Sequence, residues 1–172
     1  MKKLVLILLM GICIPYLSPS QAIIKIVGDV DAKMVKSQVV RSLNYLEIQE
    51  PVCIHIAFTE QLPANIKGTT RYMIFSDSSR FFRIRMDAGM DETLSRNVLA
   101  HEMMHVRQYL SGDLKIINGE IIWKGEKYPY LHRHSHHLPW ERDAYRYDQY
   151  LTKALREMPG RRSPLLASEF EK

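Results

Sequence analysis

Only two cysteines occur in the 172 residues, Cys13 and Cys53. Cys13 lies in an amino-terminal segment expected to be removed, and a single remaining thiol cannot close an internal disulfide, so a packed core must hold the fold. Cys53 sits in an apolar strand pattern and is expected to be a buried small hydrophobe, not a nucleophile. Long hydrophobic runs are scarce as well. The stretch from Leu4 to Ile14 falls short of the roughly 20 residues that a bilayer-spanning helix needs. There is no basic stripe interleaved with aromatics to support nucleic-acid binding, and no repeat of the kind that anchors proteins to cell wall.

The amino terminus has the parts of a secretory signal. Met1-Lys2-Lys3 is a short basic head, an apolar stretch follows, and Ser20 and Ala22 are the small residues expected near a cleavage site. Residues 1–22 are therefore expected to be cleaved, leaving an exported protein, periplasmic or secreted, with no stable membrane insertion after cleavage; the alternative is that the segment stays as an uncleaved anchor. The residue before Cys13 is Ile12, where lipid attachment would want a small side chain. Cleavage removes two of the 24 basic residues and none of the 19 acidic ones, so the formal charge falls from +5 to +3. The remainder suits one compact domain over residues 23–160, with residues 161–172 expected to form a mobile tail.

What the chain does contain is His101-Glu102-Met103-Met104-His105, inside a segment with helical periodicity. Residues four apart on a helix share a face, so both imidazoles can address one point, which suits a zinc ion. Glu102 projects about 100° around the axis, too far to be a third ligand but near enough to act as general base on a zinc-bound water. Leu99, Met103, Val106 and Leu110 form one stripe, while Leu94, Val98, His101, His105 and Gln108 lie opposite. The helix is expected to be buried on both sides.

Around it, Ile23 to Val30 reads as a strand, Asp31 as the cap of a helix reaching about Leu46, and Val52 to Phe58 as an alternating strand. His55 falls on the less apolar side of that strand, away from a ligand role. Glu60 to Thr70 spells a loop, and Arg71 to Phe75 with Arg80 to Met86 a hairpin. Arg83 and Arg85 share one face of the second arm, so Arg80 to Met86 is expected to be an accessible edge strand, its charges either guarding that edge against aggregation or flanking a peptide or protein substrate paired along it. Asp91 can cap the metal helix, and Ser111-Gly112 stops it. Asn118-Gly119 signals a further hairpin. His132, His134, His136 and His137 crowd a polar run that reads as a solvated loop with weak metal affinity. Pro139 opens a last helix with an apolar stripe of Trp140, Ala144, Tyr147, Leu151, Leu155 and Met158.

A catalytic zinc wants three protein ligands and one open position. The metzincin continuation, Gly three and His six residues after the second histidine, is excluded by Gln108 and Ser111. Glu141, in the first turn of the last helix and beside its stripe, is the expected third ligand, 36 residues beyond His105. Oxyanion stabilisation needs another donor, for which Tyr130, His132, His134, His136, His137 and Tyr145 all qualify.

His101-Glu102-x-x-His105 followed by Pro139-Trp140-Glu141-Arg142-Asp143-Ala144 resembles the gluzincin zinc metallopeptidases, especially the small single-domain minigluzincins. The resemblance covers the region from Arg80 to about Leu155. It implies an α+β, zincin-like fold, with a small twisted mixed sheet packed on the active-site helix and a second helix bringing the third ligand. It also implies one Zn2+ per chain and peptide-bond hydrolysis. Many members carry Asp four residues beyond the ligand Glu to support a zinc histidine. Here that position is Tyr145, and Asp143 and Asp148 are the candidates for the supporting role. Two other readings of the residues are a non-catalytic exported metal-binding or scaffold protein and a hydrolase of peptidoglycan cross-links.

Overall fold

A computed structural model describes residues 22–63, 65–74, 80–129 and 137–157. The expected signal at 1–22 lies almost wholly outside the described residues, as does the tail at 161–172. The architecture is α+β. Its elements are β1 (Ile23–Val27), α1 (Ala32–Tyr45), β2 (Cys53–Thr59), β3 (Gly68–Ile74), β4 (Arg80–Asp87), α2 (Glu92–Leu110), β5 (Leu114–Ile117), β6 (Glu120–Trp123), β7 (Glu126–Tyr128) and α3 (Pro139–Glu157). None of the described helices is long and apolar enough to cross a membrane.

Local chemistry sets most of these boundaries. Asp31 accepts from the Met34 amide at 3.0 Å to start α1, and Asp91 accepts from the Leu94 amide at 2.8 Å to start α2. Helix α2 ends at Ser111, where Gly112 takes a φ of 74° that a side chain would resist. Asn118 and Gly119, with φ of 52° and 77°, make the tight turn joining β5 to β6. Lys124 and Gly125 repeat that geometry and fold β7 back as a third strand, an element the sequence reading did not resolve.

The larger sheet is mixed, in the order β1-β2-β4-β3, with β1, β2 and β4 parallel and β3 antiparallel to β4. Its inner face supplies Ile54, Ile56, Phe82, Ile84 and Met86, which pack with Val35, Val39 and Leu43 of α1 and Leu99, Met103 and Val106 of α2. A second, smaller core joins Leu114, Ile121 and Trp123 of the β5-β6-β7 sheet to Trp140 of α3. Helix α2 is buried on both sides, as its sequence pattern requires.

Several expectations need correction. The strand Arg80–Asp87 is not an edge: β2 pairs with one side of it and β3 with the other. Its arginines point away from the core because the sheet has an open outer face, a cue that by itself does not distinguish edge from interior. The free edge on that side is β3, which begins at Gly68, three residues earlier than its composition suggests. Cys53 is half-buried on the outer face, next to His55 in the same alternation, and not in the core. Tyr147 is exposed rather than part of the α3 stripe, with the Arg107 guanidinium 5.5 Å from its ring centre.

The two faces of β4 should respond differently to truncation. Ile84→Ala in the dry core is expected to cost about 2–5 kcal/mol, whereas Arg83→Gln on the open face should change stability by less than about 1 kcal/mol. Urea denaturation of both variants checks this.

Candidate metal centre

Helix α2 presents His101 and His105 from successive turns, and the first turn of α3 brings Glu141 against them. Glu141 Oε2 lies 3.1 Å from His101 Nε2 and 3.5 Å from His105 Nε2, and the two Nε2 atoms are 3.2 Å apart. Three donor atoms each about 2.0–2.1 Å from one tetrahedrally held dication stand about 3.3–3.4 Å from one another. The observed triangle matches that spacing, and the group can hold a metal ion.

The outer nitrogens show which lone pairs face inward. Gln108 donates through Nε2 to the Trp140 carbonyl at 2.9 Å and to Asp143 Oδ2 at 3.0 Å, two pure acceptors, so its amide orientation is determined. Its oxygen must then accept from His105 Nδ1, 2.8 Å away. His105 therefore carries its proton on Nδ1 and turns the lone pair of Nε2 to the shared point. His101 Nδ1 faces Asp148 Oδ2 at 3.4 Å and is oriented the same way. Asp148 and Asp143 thus both support the imidazoles, one directly and one through Gln108. Two lone pairs 3.2 Å apart repel unless a proton or a cation lies between them.

In the metal-free protein protons fill that role. Burial alone would lower the His101 pKa, but its bonds to Asp148 and Glu141, with the charge of Glu102, raise it to about 10. His105 is likewise depressed by burial and raised, on balance, by Glu141. Burial pushes the Glu141 carboxyl up, yet the two imidazoles hold it well below the usual carboxylate range.

Glu102 is 3 % exposed and lies against the edge strand. Thr70 Oγ1 donates to its Oε2 at 2.6 Å, and a Cβ at Gly68 would collide with its Oε1 and with Val98 Cγ1. Burial raises the Glu102 pKa, and the imidazoles and the Thr70 bond offset part of that. Neither Gly68 nor Thr70 was legible as a site residue, since the stretch before Arg71 reads as a loop and only long-range pairing brings it here.

These groups line a groove of about 410 Å³ between β3, α2, the β5-β6 hairpin and α3. Asn97 and Tyr109 of α2, Ile116 and Ile121 of the hairpin, and Tyr145 of α3 complete its walls. The Tyr145 ring is 4.5 Å from that of His101, and burial, with Glu141, Asp148 and Glu102 nearby, raises its hydroxyl pKa. Of the other suggested donors, His137 is exposed just before α3 and outside the groove lining, while Tyr130, His132, His134 and His136 lie outside the described residues. No family model matches the chain, and neither the curated proteins nor the solved structures contain a match to it.

Metal uptake must displace the protons that the free site holds. In the metal-free protein the raised His101 pKa contributes stability below its ordinary 6.5, and that contribution is lost as pH rises through about 10. Apparent affinity for a divalent ion should accordingly rise about tenfold per pH unit for each proton displaced, a slope measurable by chelator competition. A flat profile would contradict it. In the same assay Glu141→Ala should lose stoichiometric binding, and Asp148→Asn should weaken affinity about 10–100-fold.

Proposed function

We propose that the protein is an exported zinc-dependent metallopeptidase of the gluzincin type, with His101, His105 and Glu141 as ligands and Glu102 as general base. The observation that carries this reading is the placement of a buried, hydrogen-bonded carboxylate beside a two-imidazole, one-carboxylate triangle, both opening on the same groove. Two nitrogens and one oxygen at tetrahedral spacing suit zinc, and three protein ligands leave a position for water. The zincin-like arrangement is supported by a mixed sheet over α2 and by a second helix that delivers the carboxylate. Export rests on the character of residues 1–22.

Zinc at this point would acidify a water molecule and polarise the carbonyl of a bound peptide. The chain's own groups supply the rest. Thr70 engages Oε2 of Glu102, while Oε1 lies against Gly68 with no side chain in the way, so one oxygen is anchored and the other is free to take a proton. Burial makes that carboxylate a better proton acceptor than an exposed one and lets it pass the proton to a leaving amine. Tyr145, kept protonated by burial and by its acidic neighbours, offers a hydroxyl to a developing oxyanion. The edge strand β3 can hold an extended peptide by backbone hydrogen bonds, directly above Glu102.

Glu102→Gln should retain metal while peptide hydrolysis falls by at least about 10²-fold. Gly68→Ala should also keep the ion and lower the rate, because the added methyl displaces the base and not the ligands. Digests of a mixed peptide library and of purified peptidoglycan, read by mass spectrometry beside metal analysis, test the assignment. Undiminished turnover by Glu102→Gln would remove the assigned base, and zinc retention with no cleavage of either substrate would remove the enzymatic reading.

A further inference from the structure

The outer face of the larger sheet carries a transverse row of basic residues, one from each strand. Lys25 of β1 is in register with His55 of β2, His55 with Arg83 of β4, and Arg83 with Arg71 of the edge strand β3. Neighbouring strands are about 4.8 Å apart, and like charges placed directly opposite one another destabilise a sheet. Nothing among the described residues relieves the row: Lys25, Arg83 and Arg71 are exposed and have no carboxylate partner there. The Nε2 atom of His55 is buried without a hydrogen-bond partner. Burial and the flanking cations Lys25 and Arg83 lower the His55 pKa, which keeps this member of the row uncharged near neutrality. Arg85, one step along β4, instead donates to the Gln61 carbonyl at 3.0 Å, so the unpaired charge is concentrated in the row.

The row ends at the groove. Arg71 lines it, on the strand whose Thr70 holds Glu102. Alternation along β3 is unambiguous, because Thr70 contacts Glu102 and Tyr72 stacks on Phe82 beneath the sheet, which sends Thr69 and Arg71 to the outer face. An extended chain added along β3 continues the sheet and places one side chain opposite Arg71 on that face, with Cβ atoms about 4.5–5.5 Å apart. A carboxylate there would be the first opposite charge the row meets. We propose that the groove selects extended peptides bearing an acidic residue at the position paired with Arg71, with Arg83 and Lys25 adding to the field behind it. This rests on the peptide-binding part of the function proposed above and names its substrate class.

Binding and cleavage can be read separately. A neutral alanine- and serine-based peptide series, with a single Glu, Gln or Lys walked along it, is titrated against the Glu102→Gln protein by fluorescence anisotropy at low and high salt. At one position Glu should bind about fivefold tighter than Gln, with Lys weakest, and the difference should shrink with salt. Arg71→Glu should reverse the order and Arg71→Lys should preserve it. Lys25→Glu, three strands from the edge, should change it less than about twofold. The same acidic position, counted from the cleaved bond, should be enriched among wild-type library products. Equal binding of Glu, Gln and Lys peptides, or a preference that survives Arg71→Glu, would overturn the proposal. So would equal sensitivity to Arg71→Glu and Lys25→Glu, the mark of a polyanion spread over the face. Cleavage without acidic preference would sink this inference alone, and acid-selective binding without cleavage would support it while sinking the hydrolytic reading.

Discussion

Three lone pairs directed at one point, from two imidazoles and a carboxylate, form the constraint around which the rest of the molecule is arranged. Such a cluster is stable in a buried setting only when positive charge lies at its centre and each outer nitrogen is held. Helix α2 supplies the imidazoles from consecutive turns, and the first turn of α3 must come close enough to deliver Glu141. Ala144, fully buried, gives α3 a small residue near the contact, and Trp140 fastens that end of the helix to the small sheet. Gln108 serves two ends at once: it fixes the tautomer of His105 and, by bonding to the Trp140 carbonyl and Asp143, ties that tautomer to the docking of α3.

The larger sheet has two distinct jobs on its two faces. Beneath, Ile54, Ile56, Phe82, Ile84 and Met86 are dry and hold α1 and α2 in place. The edge strand then reaches over α2 so that Gly68 leaves room for the Glu102 carboxylate and Thr70 anchors it. The orientation of the candidate base is thus set by strand pairing as much as by its own helix. Above, the sheet leaves Arg83 and Arg71 in register and uncovered, an arrangement that costs a little folding stability.

Short-range chemistry made a good part of this legible in the chain. The His101/His105 pair, the Asp31 and Asp91 caps, the Gly112 stop and the Asn118-Gly119 turn all depend on residues within a few positions of one another, and periodicity reports them directly. Glu141 was accessible too, because a carboxylate beside an apolar helical stripe, at a suitable remove from the histidines, is a limited set. Strand order was not accessible. Arg83 and Arg85 look the same on an edge strand and on an interior strand with one open face, so β4 was given the role that pairing assigns to β3. Gly68 and Thr70 were missed for the same reason, since glycine and threonine beside Lys67 have loop composition until an antiparallel partner is known. Gln108 carried a usable signal, lying three residues beyond His105 on the same side of the helix. The β6-β7 turn was missed because Lys124 takes a positive φ that is seldom assigned to lysine.

The imidazoles and the carboxylate belong to helices separated in sequence by the whole three-stranded β5-β6-β7 unit. Any cation they share closes a loop, so binding the ion adds to the docking of α3 on α2 that protons and Gln108 support in its absence. A chelator would therefore lower the cost of lifting α3, with the Trp123 and Trp140 packing at its first turn, away from α2. Metal supply would in that way set how readily this part of the molecule is cut by proteolysis.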